Sequence, residues 1–380
     1  MKLKIRQEQL NKALNYVSKA ASQKPNIPVL SNILLTVTKD EMLLSATNLD
    51  MGINMWIPAV VEDEGKITAS AKFLNDFIAA AGGERVDIST KNDLLMVKSD
   101  NAAAEFQTIP ATEFPILPKA EGTPFMTMNT VDFVESLESV MFACATDVTT
   151  SKIQFTGVLF DLEVTTPSQV TFVGLSGFRM AKKSTKVERE SSEALQLIVP
   201  AKPLAEFVKI AAAEESDKVN IFLSPNKSQV IFQLENVEFS VRLLEGPYPD
   251  YKSVVPAEHN YSFDIARTDL DRALKVVSTF ARSAFGSRIY WDLDLETSTL
   301  LLHTSVTDLG KNEVRVPVSN ASGVNDLKDA YGLQFLTDLI NNISADSIHF
   351  ETKEPLLPAI FTTPSDQSFL YLIMPMARED

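Results

Sequence analysis

The sequence predicts an α+β fold built from one unit written three times. Three observations carry this. An amphipathic segment recurs, and in each copy an apolar pair three residues apart shares one helical face: Leu74/Phe77, Leu204/Phe207 and Leu336/Leu339. The copies stand about a third of the 380 residues apart. Each then runs into an alternating strand, Val86-Asp87-Ile88, Val219-Asn220-Ile221-Phe222 and Ser347-Ile348-His349-Phe350.

A strand followed by a helix opens every unit. Leu3 and Ile5 alternate with charged neighbours. Leu10, Ala13, Leu14 and Val17 then repeat at the spacing of one apolar helical face, predicting a helix over about residues 7–20. In the third unit Tyr261, Phe263 and Ile265 alternate before the stripe Leu270, Ala273, Leu274 and Val277. In the second, Met126 and Met128 precede a helix carrying Phe133, Leu137, Val140 and Met141. The middles are β-rich, Ile33 to Ile57, Val158 to Ala181 and Ile289 to Val316, with polar breaks such as Lys39-Asp40-Glu41 and Glu296-Thr297-Ser298. Each unit is thus two helices on an antiparallel sheet. Proline-rich joints at Pro115–Gly122 and Pro247–Glu258 divide the chain into 1–120, 121–256 and 257–380.

Composition narrows the function classes. Hydrophobic content of 45% and charged content of 22% are those of an ordinary soluble globular protein. No run approaches the roughly 18 apolar residues of a membrane span. The start, Met1-Lys2-Leu3-Lys4-Ile5-Arg6, has no apolar core of signal-peptide length. One cysteine, Cys144, excludes internal disulfides and makes a reducing cytoplasm the default. A net charge of −15 argues against tight, non-specific wrapping of nucleic acid, because like charge repels the phosphate backbone.

No catalytic constellation stands out. His259, His303 and His349 are far apart in sequence, and Cys144 has no nearby His or basic cluster, which suggests a small buried residue. Metal-ligand spacings and a phosphate loop are not seen, so no metal, cofactor or nucleotide hydrolysis is expected. Asp87 and Asp264 read as solvated strand positions, and Glu62-Asp63-Glu64 as a turn. Two apolar features remain: Gly177-Phe178-Arg179-Met180, a turn glycine before large side chains, and the tail Phe369-Leu370-Tyr371-Leu372-Ile373-Met374-Pro375-Met376. The tail fits a last core strand, yet a proline between two methionines also suits an adaptable binding surface.

Together these residues resemble the bacterial β sliding clamp family, the processivity subunits of replicative DNA polymerases. The resemblance runs the whole length. It rests on Lys24-Pro25-Asn26-Ile27-Pro28-Val29-Leu30-Ser31-Asn32, Ala46-Thr47-Asn48-Leu49-Asp50, Thr156-Gly157-Val158-Leu159-Phe160, Tyr248-Pro249-Asp250-Tyr251 and Tyr371-Leu372-Ile373-Met374-Pro375-Met376. It implies a cytoplasmic, non-enzymatic protein: a head-to-tail homodimer of three clamp domains per chain, closing a ring around double-stranded DNA. Helices line the hole, and the resemblance makes Lys12, Lys19, Lys24, Lys72, Lys202, Lys209, Arg272 and Lys275 the DNA-facing candidates. Glu135 and Glu138 interrupt that lining. It places Ala104 and Phe106 of one copy against Val276 and Val277 of the other.

The resemblance also implies a groove that takes short linear motifs of polymerases, clamp loader and repair proteins. Such motifs present a glutamine followed by leucine and phenylalanine-like anchors. The matching positions are Phe155, Gly177, Phe178, Arg179, Met180, Pro249, Val254, Leu372, Met374, Pro375 and Met376, with Arg179 at the rim. Two departures from the family pattern stand out. The segment Gly174-Leu175-Ser176-Gly177-Phe178-Arg179-Met180 lacks the usual Thr, Asp and His, and the tail ends Ala377-Arg378-Glu379-Asp380 in place of a short Arg-Leu. A peptide-binding scaffold of the same fold that closes no ring is the alternative, and an enzyme on the same frame a second.

Overall fold

Strand, helix, four or five strands, helix, three strands is the order laid down three times. The structure, a computed structural model, describes residues 1–147, 152–190, 193–283, 285–306 and 310–378. The first repeat comprises β1 (Lys2–Arg6), α1 (Gln7–Val17), β2 (Asn32–Thr38), β3 (Glu41–Thr47), β4 (Met51–Pro58), β5 (Val60–Asp63), β6 (Gly65–Ser70), α2 (Ala71–Ala81), β7 (Arg85–Lys91), β8 (Leu94–Lys98) and β9 (Ala103–Gln107). The second comprises β10 (Met126–Asn129), α3 (Thr130–Met141), β11 (Gly157–Leu162), β12 (Gln169–Leu175), β13 (Arg179–Lys186), β14 (Leu195–Pro200), α4 (Ala201–Ala213), β15 (Lys218–Leu223), β16 (Gln229–Gln233) and β17 (Val237–Arg242). The third comprises β18 (Tyr261–Ala266), α5 (Arg267–Ala281), β19 (Arg288–Asp294), β20 (Thr299–Val306), β21 (Gly310–Pro317), β22 (Ser319–Ser322), β23 (Leu327–Gly332), α6 (Leu333–Asn342), β24 (Ser347–Thr352), β25 (Ala359–Thr363) and β26 (Asp366–Ile373).

The helices form where the apolar spacing is 3.6 and bury that stripe. Leu10, Ala13, Leu14 and Val17 of α1 are buried, as are Leu270, Ala273, Leu274 and Val277 of α5. At the start of α3, Asn129 Oδ1 accepts from the backbone N–H of Val131 at 2.9 Å and of Asp132 at 3.3 Å, satisfying donors the helix leaves open. Gly82 ends α2 with φ +60°, a conformation that costs glycine little. Beyond Val17 the first helix tightens into a 3-10 turn over Ser18–Ala20, so the α-helix is shorter than the sequence suggests.

The chain folds as two compact units that cut the second repeat in half. One contains an eight-stranded sheet in the order β10-β15-β16-β17-β4-β3-β2-β6, with a five-stranded sheet β5-β1-β7-β8-β9. The other contains a nine-stranded sheet, β14-β11-β12-β13-β26-β25-β24-β18-β22, with a four-stranded sheet β21-β20-β19-β23. Both long sheets are made the same way. The last strand of one repeat lies antiparallel to the fourth strand of the preceding repeat: β17 on β4, Val241 opposite Met51, and β26 on β13, Ile373 opposite Arg179. Aromatic clusters fill each unit beneath the helices. In the first, Phe207 stacks on Phe232 with centroids 4.7 Å apart, and Phe133 lies against both. In the second, Phe263 stacks on Phe350 at 4.6 Å beside Trp291.

Three acidic residues differ from expectation. Glu62 and Asp63 belong to edge strand β5, where Glu62 pairs with Lys2 and Lys4 and Asp63 with the N-terminal amine. Register to β1 brings the charges together and makes a strand of an apparent turn. Asp264 is held between His349 Nδ1 and Asn320 Nδ2, both at 2.6 Å, because β18 pairs with β24. Cys144 is buried as the sequence suggests, and burial pushes its thiol up to about 12.

Helix α3 reaches its sheet through a glycine. A Cβ on Gly174 of β12 would stand 2.1 Å from the Val140 carbonyl oxygen and 3.2 Å from Cys144 Sγ. Gly174→Ala is therefore expected to destabilise the fold by about 1–3 kcal/mol, since neither backbone can yield locally. Chemical denaturation checks this, and an unchanged midpoint contradicts the close approach.

Candidate functional site

The turn between β12 and β13 and the segment after β26 meet on the second unit. Ser176 N–H donates to the Arg179 carbonyl at 3.1 Å, and Gly177 takes φ +89°, where a side chain would strain the turn. This presents Phe178 with 67% of its surface exposed. β13 pairs with β26, Met180 opposite Leu372. The ladder runs one residue further, the Met374 N–H donating to the Phe178 carbonyl at 2.8 Å. Phe155 stands beside the turn, its Cε2 3.8 Å from where a Gly177 Cβ would be.

Strand alternation divides these side chains between surface and floor. Met180 is 0% and Leu372 3% exposed, packed with Leu159, Val173, Ile198 and Tyr251. Met374 and Val254 are exposed large apolar residues, while Phe155, Pro249, Pro375 and Met376 are half-buried. Two phenols tie the linker to the sheet: Tyr248 donates to the Val173 carbonyl at 3.1 Å and Tyr251 to Asp161 Oδ2 at 2.7 Å. Burial pushes both phenols well up, so they stay neutral donors. Met376 is drawn to the third repeat, its N–H donating to the Ala330 carbonyl at 2.7 Å and its Cε resting by Gly286.

Arg179 does not rim this surface. It follows Phe178 on the strand and faces opposite to Met180. There it pairs with Asp338, donates to the Phe142 carbonyl at 2.6 Å and lies 4.9 Å from the Phe335 ring centre. Its guanidinium braces the hairpin from beneath. Leu175, Leu244, Tyr248, Val255 and Leu370 pack against the same floor and were missed. Leu370 lies two residues before Leu372 on β26, and the period-2 rule would have found it, whereas Leu175 is set by its place opposite Met180 across the β12–β13 pair. Glu379 and Asp380 lie outside the described residues.

The first unit repeats this backbone with other side chains. Asn48 N–H donates to the Met51 carbonyl at 3.2 Å, Leu49 takes φ +78°, and Arg242 N–H donates to the Asp50 carbonyl at 2.8 Å. In the places of Phe178, Met180, Leu372 and Met374 stand Asp50, Gly52, Ser240 and Arg242. Leu117 of the linker covers Gly52, its Cδ2 2.1 Å from where a Cβ would be. Only the second unit combines this turn with an apolar floor.

The basic residues fall into two groups. Lys12 pairs with Glu214 at 2.8 Å, Lys209 with Glu206 at 2.9 Å, Arg272 with Asp269 at 3.4 Å and Lys275 with Asp271 at 2.7 Å. Lys19, Lys24, Lys72 and Lys202 are exposed and form no ion pair within 4 Å among the described residues. Among the interface candidates, Ala104 and Phe106 are half-buried on β9, an outer strand of its sheet, and Phe106 meets Phe77 edge-on at 5.9 Å. Val276 is exposed and its carbonyl accepts from Asn312. Val277 is 0% exposed, a core residue of the α5 stripe, and its assignment to an interface is corrected. Among the described residues no group of three or more His, Cys, Asp or Glu is placed to hold a metal ion, and no helix is long and apolar enough to cross a membrane.

The split between surface and floor is testable. Phe178→Ala is expected to leave stability within about 0.5 kcal/mol. Leu372→Ala should cost about 2–5 kcal/mol through the cavity it leaves. Equal effects in urea denaturation would contradict the assignment.

Comparison with known proteins agrees with this architecture. The chain matches the family models "DNA polymerase III beta subunit, N-terminal domain" over residues 1–118, "central domain" over 127–250 and "C-terminal domain" over 252–377. It is 28% identical to the beta sliding clamp of Synechocystis over 397 residues, with 99% of each chain covered. It is 23% identical to that of Bacillus subtilis over 385 residues, again with 99% of each covered. In fold it is similar to the Bacillus subtilis DNA polymerase sliding clamp, with TM-score 0.93, 22% identity and 100% of both chains covered. It is also similar to a Pseudomonas aeruginosa sliding clamp described as bound to griselimycin, with TM-score 0.89, 22% identity and full coverage of both. Three consecutive domain matches spanning nearly the whole chain, on a fold that repeats three times, place this protein in the bacterial DNA polymerase III beta subunit family, the sliding clamps.

Proposed function

We propose that the chain is a non-catalytic, cytoplasmic processivity clamp. Two copies close head to tail around duplex DNA, and the Phe178–Met374 surface tethers polymerase, clamp loader and repair proteins by short apolar motifs. Its domains run over 1–120, 121–256 and 257–380.

The observation that carries the ring is an unfinished pattern in the sheets. β17 completes its sheet on β4, and β26 on β13. The equivalent strands left over are β9 of the first repeat and β21 of the third, each at the end of its sheet. Exposed strand edges are templates for pairing. Joining β9 of one copy to β21 of another, twice, satisfies both edges and closes a dimer, so growth stops. The register of the two existing junctions, carried over, sets Phe106 opposite Gly310, Glu105 opposite Lys311 and Ala104 opposite Asn312. Glycine leaves room for the aromatic ring, and the exposed Glu105 and Lys311 have opposite charge. A scaffold that closed no ring would leave both edges bare.

The charge distribution supports retention by topology over adhesion. With a net charge of −15, a ring that encircles DNA needs only the weak field of residues such as Lys19, Lys24, Lys72 and Lys202. For the groove, burying roughly 250 Å² of apolar peptide surface gives about 6 kcal/mol before ordering costs. Hydrogen bonds from a glutamine and the peptide backbone therefore contribute to micromolar binding.

Phe106→Asp should abolish dimerisation, because a buried unpaired charge costs about 3–5 kcal/mol. Light scattering at low micromolar concentration should give the monomer mass. A Glu105→Lys/Lys311→Glu exchange should keep the dimer, and a fully dimeric Phe106→Asp contradicts the interface.

A further inference from the structure

The segment after β26 is pinned at several points, and the last lies outside the apolar surface. The Met374 N–H reaches Phe178 and the Met376 N–H reaches Ala330, as described. Arg378 then turns onto the sheet of the third repeat. Its Nη1 donates to the Asp329 carbonyl at 2.9 Å and to Asp292 Oδ1. Its guanidinium lies 4.9 Å from the centre of the Tyr290 ring. That ring in turn stacks on His303, with centroids 4.8 Å apart and planes 13° from parallel. The second carboxylate oxygen of Asp292 faces His303 Nε2 at 3.1 Å. The carboxylate thus serves both a cation and an imidazole, and the guanidinium is held by charge, by a backbone carbonyl and by an aromatic face.

The equivalent strands elsewhere are followed by segments pinned through buried apolar or phenolic side chains, Phe114 after β9 and Tyr251 after β17. After β26 the three residues that follow, Met374, Pro375 and Met376, are all exposed or half-buried. None of the three is fully buried, so their conformation depends on the backbone bonds to Phe178 and Ala330 and on what holds the chain beyond them.

We propose that Arg378 is a positioning residue for the groove: anchored on Asp292 and Asp329, it holds Met374–Met376 in the binding conformation before a peptide arrives. The inference rests on the groove proposed above. Binding to a wall that is already ordered avoids the loss of freedom that a loose tail would incur on each encounter. Arg378 need not touch the peptide to do this. Asp292 is its fixed partner, with Tyr290 and His303 supporting the pair.

Two readouts separate the clamp from the groove. One is calorimetric titration of a Gln-Leu-Ala-Leu-Phe peptide. The other is hydrogen exchange at the Met376 amide without peptide, which reports the bond to Ala330 whatever the groove binds. For Arg378→Ala the expected results are about tenfold weaker binding and faster Met376 exchange. Arg378→Lys should fall between, since an ammonium keeps the charge and loses the planar fork. Asp292→Asn, which preserves shape, should weaken binding too, and the double variant should be little worse than either single one. Unchanged Met376 exchange in Arg378→Ala overturns the clamp. Faster exchange with unchanged affinity overturns its role in binding. Weaker binding with unchanged exchange means direct contact with the peptide, and overturns positioning. If the wild-type chain binds no peptide at millimolar concentration, the groove itself fails, while exchange still reads the clamp.

Discussion

The antiparallel ladder between repeats is the constraint on which the structure depends. β17 on β4 and β26 on β13 turn repeats of about 120 residues into sheets of eight and nine strands. Each junction brings together residues remote in sequence, Met180 with Leu372 and Gly52 with Ser240. An edge strand left unpaired exposes a row of donors and acceptors. Of the strands equivalent to those at the two junctions, β9 and β21 are the pair left at the ends of their sheets.

The same ladder explains why one backbone supports two different surfaces. Both units present a turn with one residue in the left-handed region, and both continue the ladder past the strand end by one hydrogen bond. In the second unit that frame displays Phe178 and Met374 above Met180 and Leu372. In the first it displays Asp50 and Arg242 above Gly52 and Ser240, with Leu117 filling the space where a larger side chain would stand. Burial of apolar surface drives short peptides to bind, so the junction with apolar side chains is the one suited to them. Backbone geometry repeats, while chemistry does not.

Much of this was legible because it is periodic. The stripes Leu10, Ala13, Leu14, Val17 and Leu270, Ala273, Leu274, Val277 name the buried faces of α1 and α5 from sequence alone. Gly177 announces its turn, and the tail reads correctly as a core strand as far as Ile373. Where periodicity and resemblance disagreed, at Val277, periodicity described the side chain correctly. What stayed hidden was long-range pairing. Asp264 meets His349 and Glu62 meets Lys2 only after distant strands have been set in register, and Arg179 meets Asp338 only once α6 has packed against β13. Sequence shows that these residues are charged but not which partner each finds. Among the basic candidates, the Lys12 pair with Glu214 was hidden for the same reason, whereas Lys209 with Glu206, Arg272 with Asp269 and Lys275 with Asp271 are one helical turn apart and follow from spacing alone.

An acidic protein that acts on DNA must hold it by something other than charge. With −15 net charge, equilibrium affinity for short linear duplex should be weak and should fall steeply with salt, whereas a closed ring leaves a circle only by opening. The most direct measurement is the lifetime of the loaded chain on a closed circular duplex in high salt, before and after a single cut in the circle. Persistence on the circle and prompt loss after the cut is the result this account predicts. Equal loss from circular and linear DNA at the same salt would contradict it.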